Sequence, residues 1–574
     1  MTGTHRLLAM AALLLAPWMA SAHTSEGNQP VQATHGMVAS AQHYASEIGA
    51  DILRRGGNAV DAAVAVGYAL AVVHPCCGNI GGGGFATLHF AAGPHAGQDR
   101  FIDFREKAPL AATADMFLDR HGDIVPRLSL DGYKAVAVPG TVMGLDTMLR
   151  RYGTMSRAQV MAPAIELAEK GYVLVQGDVD ILDLATRRFA QDKNVAGIFL
   201  DHGRPWKVGG RIKQPELAAS LRLIEEQGAD AFYKGPIAAA IVAASKADGG
   251  ILQLKDLASY TVADTAPITC AYHGYRVVSA PPPSSGGTTL CEILGVLAPY
   301  HLETMPFHAA EPVHLMVEAM RRAYLDRNFR LGDPDFVSNP VAALLSPAHE
   351  RDIRRAILPG RATPSSTLKP GQPLHEGNET THVSIVDAQG NAVSMTYTIN
   401  ALLGAKVIAG HTGFFLNDEM DDFSAKPMAP NLFGLVQGTP DKIEPGKRPL
   451  SSMSPTIVMK DGQVFMVIGS PGGSRIITIT LEAMLNVIDH HMNIAQAIDA
   501  PRLHHQWLPD IVEIESGALS DKATAELETM GYDIEDHGQW GDAEGIVVGR
   551  NHAGARVLFG ANDDRRPAGA AAGY

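Results

Sequence analysis

The segment from Thr380 to Asn400 constrains the fold more than any other part of the chain. Thr380-Thr381-His382-Val383-Ser384-Ile385-Val386 alternates polar with apolar residues, as does Ala392 to Asn400, and Asp387-Ala388-Gln389-Gly390-Asn391 between them carries turn chemistry. The pattern predicts a β-hairpin. If Asp387 to Asn391 form the loop, Val386 faces Ala392, and counting outward by pairs sets Thr398 opposite Thr380, with Asn400 on the same face. A slip of one residue would put the two threonines on opposite faces. Just upstream, Arg351 to Asn378 is rich in Pro, Gly, Ser and Thr and reads as an exposed, poorly packed connection. On the hairpin alone, Thr380 is a strand threonine chosen for β-propensity. Its surroundings argue for chemistry, because a loose connection ends just before it and His382 and Thr398 are close by.

The 574 residues, 46% of them hydrophobic, suffice to bury one or two sizeable cores. With 47 basic against 61 acidic side chains the net charge is -14, which leaves no excess of cations to neutralise a phosphate backbone, so nucleic acid is not an expected partner. Residues 1–22 run from a polar start with Arg6, through apolar Leu7 to Ala16, to Ala20-Ser21-Ala22, and predict an export signal with a mature chain from His23. No later run approaches the roughly 20 apolar residues of a spanning helix, so no membrane span is expected. Ala59 to Val73, nearly all Ala and Val, reads as a buried helix capped by Asn58, with Asp61 in its first turn and Pro75 as its stop. It leads into Cys77-Gly78-Asn79-Ile80-Gly81-Gly82-Gly83-Gly84-Phe85 and a short strand, Ala86 to Phe90. These glycines lack the Gly-Lys-Ser or Gly-Lys-Thr ending of a phosphate-binding loop and read as close backbone packing. Residues 140–330 read as mostly α-helical, interrupted by the stiff bend Ala280 to Gly287.

Three polar clusters follow the hairpin. Asn417-Asp418-Glu419-Met420-Asp421-Asp422-Phe423 is dense in like charge, lacks the ligand spacing of a calcium loop, and by itself reads as a solvated acidic turn. Lys447-Arg448-Pro449-Leu450-Ser451-Ser452-Met453-Ser454-Pro455-Thr456 sets hydroxyls between prolines at the entrance of a hairpin turning at Asp461-Gly462. Gly469-Ser470-Pro471-Gly472-Gly473-Ser474-Arg475 links the apolar run Val464 to Ile468 to a helix ending near Ile488, and a strand, a glycine turn and a helix start present free backbone N–H groups to an anion.

Together with Thr380-Thr381-His382, Asp103-Phe104-Arg105-Glu106, Val138-Pro139-Gly140-Thr141 and Gly81-Gly82-Gly83, these clusters closely resemble the gamma-glutamyltransferases in order and spacing, over essentially the whole mature chain. The resemblance implies an α+β fold, a four-layer αββα sandwich of the N-terminal-nucleophile hydrolase type. It implies a precursor cut between Glu379 and Thr380 into a large subunit, residues 23–379, and a small subunit, residues 380–574, that stay together as one unit. Thr380 would then carry the nucleophilic hydroxyl and its own α-amino group as base, with no metal or organic cofactor. The implied donor is glutathione or another γ-glutamyl amide, and the acceptor water, an amino acid or a dipeptide. By the same resemblance Gly472 and Gly473 would hold the oxyanion, Thr398 would orient the Thr380 hydroxyl, Arg105, Ser451 and Ser452 would take the donor's α-carboxylate, and Asn400, Glu419 and Asp422 its α-ammonium. The expected location is periplasmic or secreted.

Two departures stand out. Pro427 to Gly438 resembles the lid of bacterial members, but Phe433 stands where a tyrosine is common, so a latch hydrogen bond is missing and looser closure is expected. Ala401-Leu402-Leu403-Gly404-Ala405-Lys406 is less rich in hydroxyls than in those members, which bears on acceptor preference. The rival readings are a glutaryl or cephalosporin-type acylase of the same fold, whose substrate lacks the α-ammonium, and a catalytically dead amino-acid-binding homologue. The pairs His490-His491 and His504-His505 lack a suitably spaced carboxylate and read as surface or structural residues. Export permits a bond between Cys270 and Cys291, whereas the adjacent Cys76 and Cys77 read only as structural.

Overall fold

A computed structural model of the chain describes residues 29–368, 380–551 and 553–574. The predicted export signal and Glu379 lie outside the described residues.

The alternating segment forms the predicted hairpin. Strands Thr381–Val386 and Ala392–Thr398 pair antiparallel with Val386 opposite Ala392 and Thr381 opposite Tyr397, the predicted register. Asp387 fixes the loop, its carboxylate accepting from the N–H groups of Gln389 and Asn391 at 2.9 Å each. This hairpin is central in a seven-stranded antiparallel sheet ordered Ala570–Gly573, Met37–Ser40, Thr381–Val386, Ala392–Thr398, Gly83–His89, Asp99–Phe104, Ala263–Thr265. A second seven-stranded sheet runs Val31–Ala33, Arg556–Asn562, Glu544–Arg550, Gln463–Gly469, Thr456–Lys460, Tyr275–Ser279, Ile268–Tyr272.

The sheets stack through Met37, Ala39 and Val386 of one against Ile457, Val467, Ile546 and Leu558 of the other. A helical layer containing Ala59–Val73 packs its buried Ala and Val side chains on the first sheet, and helices Gly286–Leu297, Ala310–Arg330 and Ile476–Ile488 cover the second. The order of layers is αββα, as expected. Both sheets combine strands from before and after residue 380, so a chain cut there leaves two pieces that share both sheets. That sharing is why cut subunits would stay together, since neither piece retains a complete sheet.

The buried helix has its expected cap: Asn58 accepts from the N–H groups of Val60 and Asp61, and Asp61 accepts from the Asn58 N–H. The glycines after it are packing residues. A Cβ on Gly82 would collide with the Thr398 carbonyl and one on Gly84 with the Tyr397 backbone, so only glycine lets strand Gly83–His89 close on strand Ala392–Thr398. Cys76 and Cys77 form a vicinal disulfide behind it, and their carbonyls accept from Leu403 N and Ile399 N at 2.8 and 3.1 Å. Cys270 and Cys291 form the second disulfide, with Cα atoms 5.8 Å apart.

Part of the connection upstream of Thr380 is packed, contrary to expectation. Helix Pro347–Ala356 buries Ile353, and Ile357, Ala362 and Ser365 are also buried. Ser365 N–H donates to Asp510 at 2.7 Å, and Trp507 Nε1–H to the Ser365 carbonyl at 3.3 Å. Ile353 and Ile357 give a charged segment an apolar edge at helical spacing, which its Pro and Ser content obscured. The remainder, residues 369–379, lies outside the described residues. The described residues contain no helix long and apolar enough to cross a membrane.

Candidate active site

Thr380 precedes the central strand and is buried, with its Oγ1 3.4 Å from Thr398 Oγ1. The register predicted this contact. Thr398 Oγ1 accepts from Asn400 N–H at 2.8 Å, and Asn400 turns the chain at a φ of 73° with its side-chain amide donating to the Asp418 carbonyl at 3.1 Å. One cleft is lined by Thr380, Thr398, Asn400, Glu419, Asp422, Arg105, Ser451, Ser452 and Gly473. Of the residues assigned to the site from sequence, the structure brings together all except Gly472, which stands one residue behind the lining, and Glu379, which is not described.

The acidic segment is not a solvated turn. Asn417 to Ser424 are all buried, because every local charge finds a partner from elsewhere in the chain. Asn417 is the anchor: its amide donates to the Gly81 and Ala137 carbonyls at 2.9 and 3.0 Å, and its oxygen accepts from the N–H groups of Ala137 and Glu419. Asp421 accepts from Ser129 Oγ at 2.6 Å and Leu432 N–H at 2.8 Å. Glu419 and Asp422 both pair with the fully buried Arg105, one to each terminal nitrogen of the guanidinium.

A third carboxyl, Glu106, stands 3.7 Å from Arg105, and burial pushes it up to about 7 despite that neighbour. Burial also raises Glu419 well above the usual carboxylate range, against the pull of Arg105. Burial alone would lower the Arg105 guanidinium, but Glu419, Asp422 and Glu106 outweigh it and raise it. This is a charge-dense cleft in which one buried cation organises three buried acids.

Ser451 and Ser452 are held by the bend before helix Gly286–Leu297, where Ser285 N–H and Oγ donate to the Ser451 carbonyl at 2.8 and 2.6 Å. Gly472 at φ 138° and Gly473 at φ 56° need glycine's freedom, and they open the short turn Gly473–Arg475 into helix Ile476–Ile488. The N–H groups at such a start have no intrahelical partner and suit an oxyanion. Segment 427–438 lies against the cleft. Phe433 is buried and lines it with Leu435, Gln506 Nε2 donates to the Phe433 carbonyl at 3.1 Å, and Gln437 Nε2 donates to the Asp422 carbonyl at 2.8 Å. Apolar burial and these backbone contacts hold the segment where the tyrosine hydroxyl is missing.

His382 is near Thr380 yet points between the sheets, its Nδ1 2.7 Å from Thr396 Oγ1, its Nε2 3.1 Å from Ser384 Oγ, and burial lowers it to about 3. His504 and His505 are buried and hydrogen-bonded, to Thr478 and Gln506 and to Asp510 and Trp507 respectively, while His491 is exposed and His490 half-buried.

Sequence reasoning missed Arg327, which lines the cleft from helix Ala310–Arg330. The available signal was a run of cations, Arg321, Arg322 and Arg327, on a helix with buried side chains on every face. Leu450, Met453, Ser474 and Ile476 also line the cleft without having been singled out as site residues.

The sequence profile of the gamma-glutamyltranspeptidase family matches residues 45–574. This chain belongs to that family. It is 53% identical, over 95% of either chain, to a glutathione hydrolase proenzyme of Pseudomonas sp. strain A14. It is 45% identical, over 95% of its own length and 93% of the other, to a glutathione hydrolase proenzyme of Escherichia coli K12. Among solved structures it is similar to a cephalosporin acylase from Bacillus halodurans, with a TM-score of 0.82 at 27% identity over 98% of this chain and 99% of that one. The αββα layering is thus that of the N-terminal-nucleophile hydrolases.

Proposed function

We propose that this protein is a gamma-glutamyltransferase and glutathione hydrolase that cuts itself before Thr380 and then moves a γ-glutamyl group through an ester on Thr380. The observation that carries the reading is the Thr380 hydroxyl, 3.4 Å from Thr398 Oγ1, in a cleft lined by paired cations and acids. In the first step Thr380 Oγ attacks the Glu379 carbonyl, the acyl group shifts from nitrogen to oxygen, and one water hydrolyses that ester. The step leaves residues up to 379 as the large subunit, from residue 23 once the export signal is removed, and 380–574 as the small one.

The freed α-amino group, with a reference pKa of about 7.7 to 8.0, then takes the proton from the Thr380 hydroxyl as it attacks the γ-carbonyl of the donor. That proton passes to the departing amine. Water or an acceptor amine attacks the ester, returns a proton through the same amino group, and releases glutamate or a new γ-glutamyl amide. Gly472 and Gly473 stabilise the oxyanion, a contribution whose removal typically costs about 2.7 to 4 kcal/mol. Arg105, Ser451 and Ser452 receive the α-carboxylate, and Asn400, Glu419 and Asp422 the α-ammonium. The export signal at residues 1–22 supports a periplasmic or secreted location.

Product analysis with glutathione, with and without a dipeptide acceptor, tests the reading. Free glutamate alone marks a hydrolase, a γ-glutamyl dipeptide marks transfer, and neither product overturns the proposal. The likeness to a cephalosporin acylase keeps one alternative in view, and a preference for glutaryl over γ-glutamyl anilide would establish it.

Two expected outcomes follow from the site. Arg105→Lys keeps a charge but cannot reach both Glu419 and Asp422 with a fork, so the KM for γ-glutamyl anilide should rise tenfold or more (about 1.4 kcal/mol) while self-cleavage is little affected. Equal loss of self-cleavage on a denaturing gel would make Arg105 a folding residue. His382 stays neutral down to about pH 3, so it cannot supply the acid limb of the pH profile. His382→Gln should leave that limb where the unaltered enzyme has it, and a displaced midpoint of kcat/KM would implicate the imidazole.

A further inference from the structure

The cleft has two guanidinium groups, and only one is matched by carboxylates. Arg105 is committed to Glu419 and Asp422. Arg327, equally buried, donates to four neutral oxygens: Ser285 Oγ at 3.0 Å, Asn328 Oδ1 at 2.9 Å, Gln437 Oε1 at 3.0 Å and Ser452 Oγ at 3.1 Å. The acids that act on it, Asp422 and Asp441, form no ion pair with it, and each has one oxygen engaged elsewhere, Asp422 with Arg105 and Asp441 with the Leu450 N–H at 2.9 Å. Burial lowers the Arg327 guanidinium, and Arg105 beside the same cleft lowers it further, while Asp441 and Asp422 only partly offset this.

A desolvated cation without an ion-pair partner is costly, and the cost is relieved when an anion enters beside it. The Ser452 hydroxyl is the path: it accepts from Arg327 Nη2, so its own proton is turned away from the guanidinium and free to point at an incoming acceptor.

We infer that Arg327 is a specificity-determining residue for the donor's α-carboxylate, orienting and polarising Ser452 and supplying the cationic field that Arg105, held by two acids, does not supply alone. The inference rests on the γ-glutamyl reading above and deepens it. Arg105 arranges the acids that meet the α-ammonium and faces the α-carboxylate with Ser451, and Arg327 acts on that same carboxylate through Ser452.

Three anilides separate the roles. The γ-glutamyl anilide carries both charges, the glutaryl anilide only the carboxylate, and the 4-aminobutyryl anilide only the ammonium. Arg327→Gln should raise KM tenfold or more for the two donors with a carboxylate, and less than twofold for the 4-aminobutyryl donor. For a donor turned over too slowly, its inhibition constant against the γ-glutamyl anilide is read instead. Arg327→Lys, which keeps the charge, should recover part of the loss, and it carries the same comparison if Arg327→Gln fails to fold. In a Ser452→Ala background Arg327→Gln should add less than threefold, because the two act through one hydrogen bond.

A similar rise for all three donors, or none for any, overturns the role of Arg327. Absence of γ-glutamyl turnover in the unaltered enzyme instead overturns the functional reading on which it rests.

Discussion

Thr380→Ala should yield a protein that runs as one band on a denaturing gel and turns over no γ-glutamyl donor, where the unaltered chain runs as two. The expected effect is the largest of any single substitution because the hydroxyl serves twice, once against the Glu379 carbonyl and once against the substrate. Its neighbourhood is suited to both events. Thr380 is buried at the end of a strand fixed on both sides by antiparallel partners, so the hydroxyl has little freedom and stands 3.4 Å from Thr398 Oγ1. Holding a nucleophile at reacting distance is worth several kcal/mol of barrier. The fold itself should survive the substitution, since both sheets are complete in an uncut chain. Thr380→Ser keeps the oxygen and should still split, more slowly because the γ-methyl group that restricts χ1 is gone. If Thr380→Ala still splits, with the small band still beginning at residue 380, another agent makes the cut.

What could be read from sequence was local. The hairpin register followed from a polar loop of fixed length and a period of two, and the structure has Val386 opposite Ala392 as counted. The helix Ala59–Val73 was bounded by its cap and its proline, features that act within a turn or two. The failures share a different cause. The acidic run Asn417 to Phe423, by itself, read as solvated because it is dense in like charge, yet Arg105, 314 and 317 residues away from Glu419 and Asp422, makes it a buried ionic cluster. Arg327 was passed over because its helix lacks a polar face to mark it: Tyr324 and Asn328 are buried beside it as thoroughly as the guanidinium. Residues 351–368, upstream of Thr380, were read as loose from their Pro and Ser content, while the partners that hold them, Asp510 and Trp507, come from far downstream. Composition reports whether a segment could face water, and only the fold decides whether it does.

Asp422→Asn should lower kcat/KM for the γ-glutamyl donor strongly and narrow its advantage over the glutaryl donor. Asp422 is mostly buried and pairs with Arg105, so its charge is part of a desolvated network. Removing a partner of such a charge costs roughly 2 to 5 kcal/mol, which at about 1.4 kcal/mol per tenfold is thirtyfold or more in turnover of a donor that brings an α-ammonium. A glutaryl donor brings no cation and meets Glu419 and Asp422 as two acids answered by Arg105 alone, so neutralising one relieves a repulsion that the native site uses against it. The same change releases half of the Arg105 fork, which raises the positive character of the cleft and again favours the donor whose only charge is a carboxylate. Self-cleavage should persist, because no α-ammonium takes part in attack on the Glu379 carbonyl. The ratio of the two kcat/KM values is therefore the decisive reading. If it stays constant while both values drop, Asp422 serves only to hold Arg105 in place, and the ammonium must be met by Asn400 and Glu419 alone.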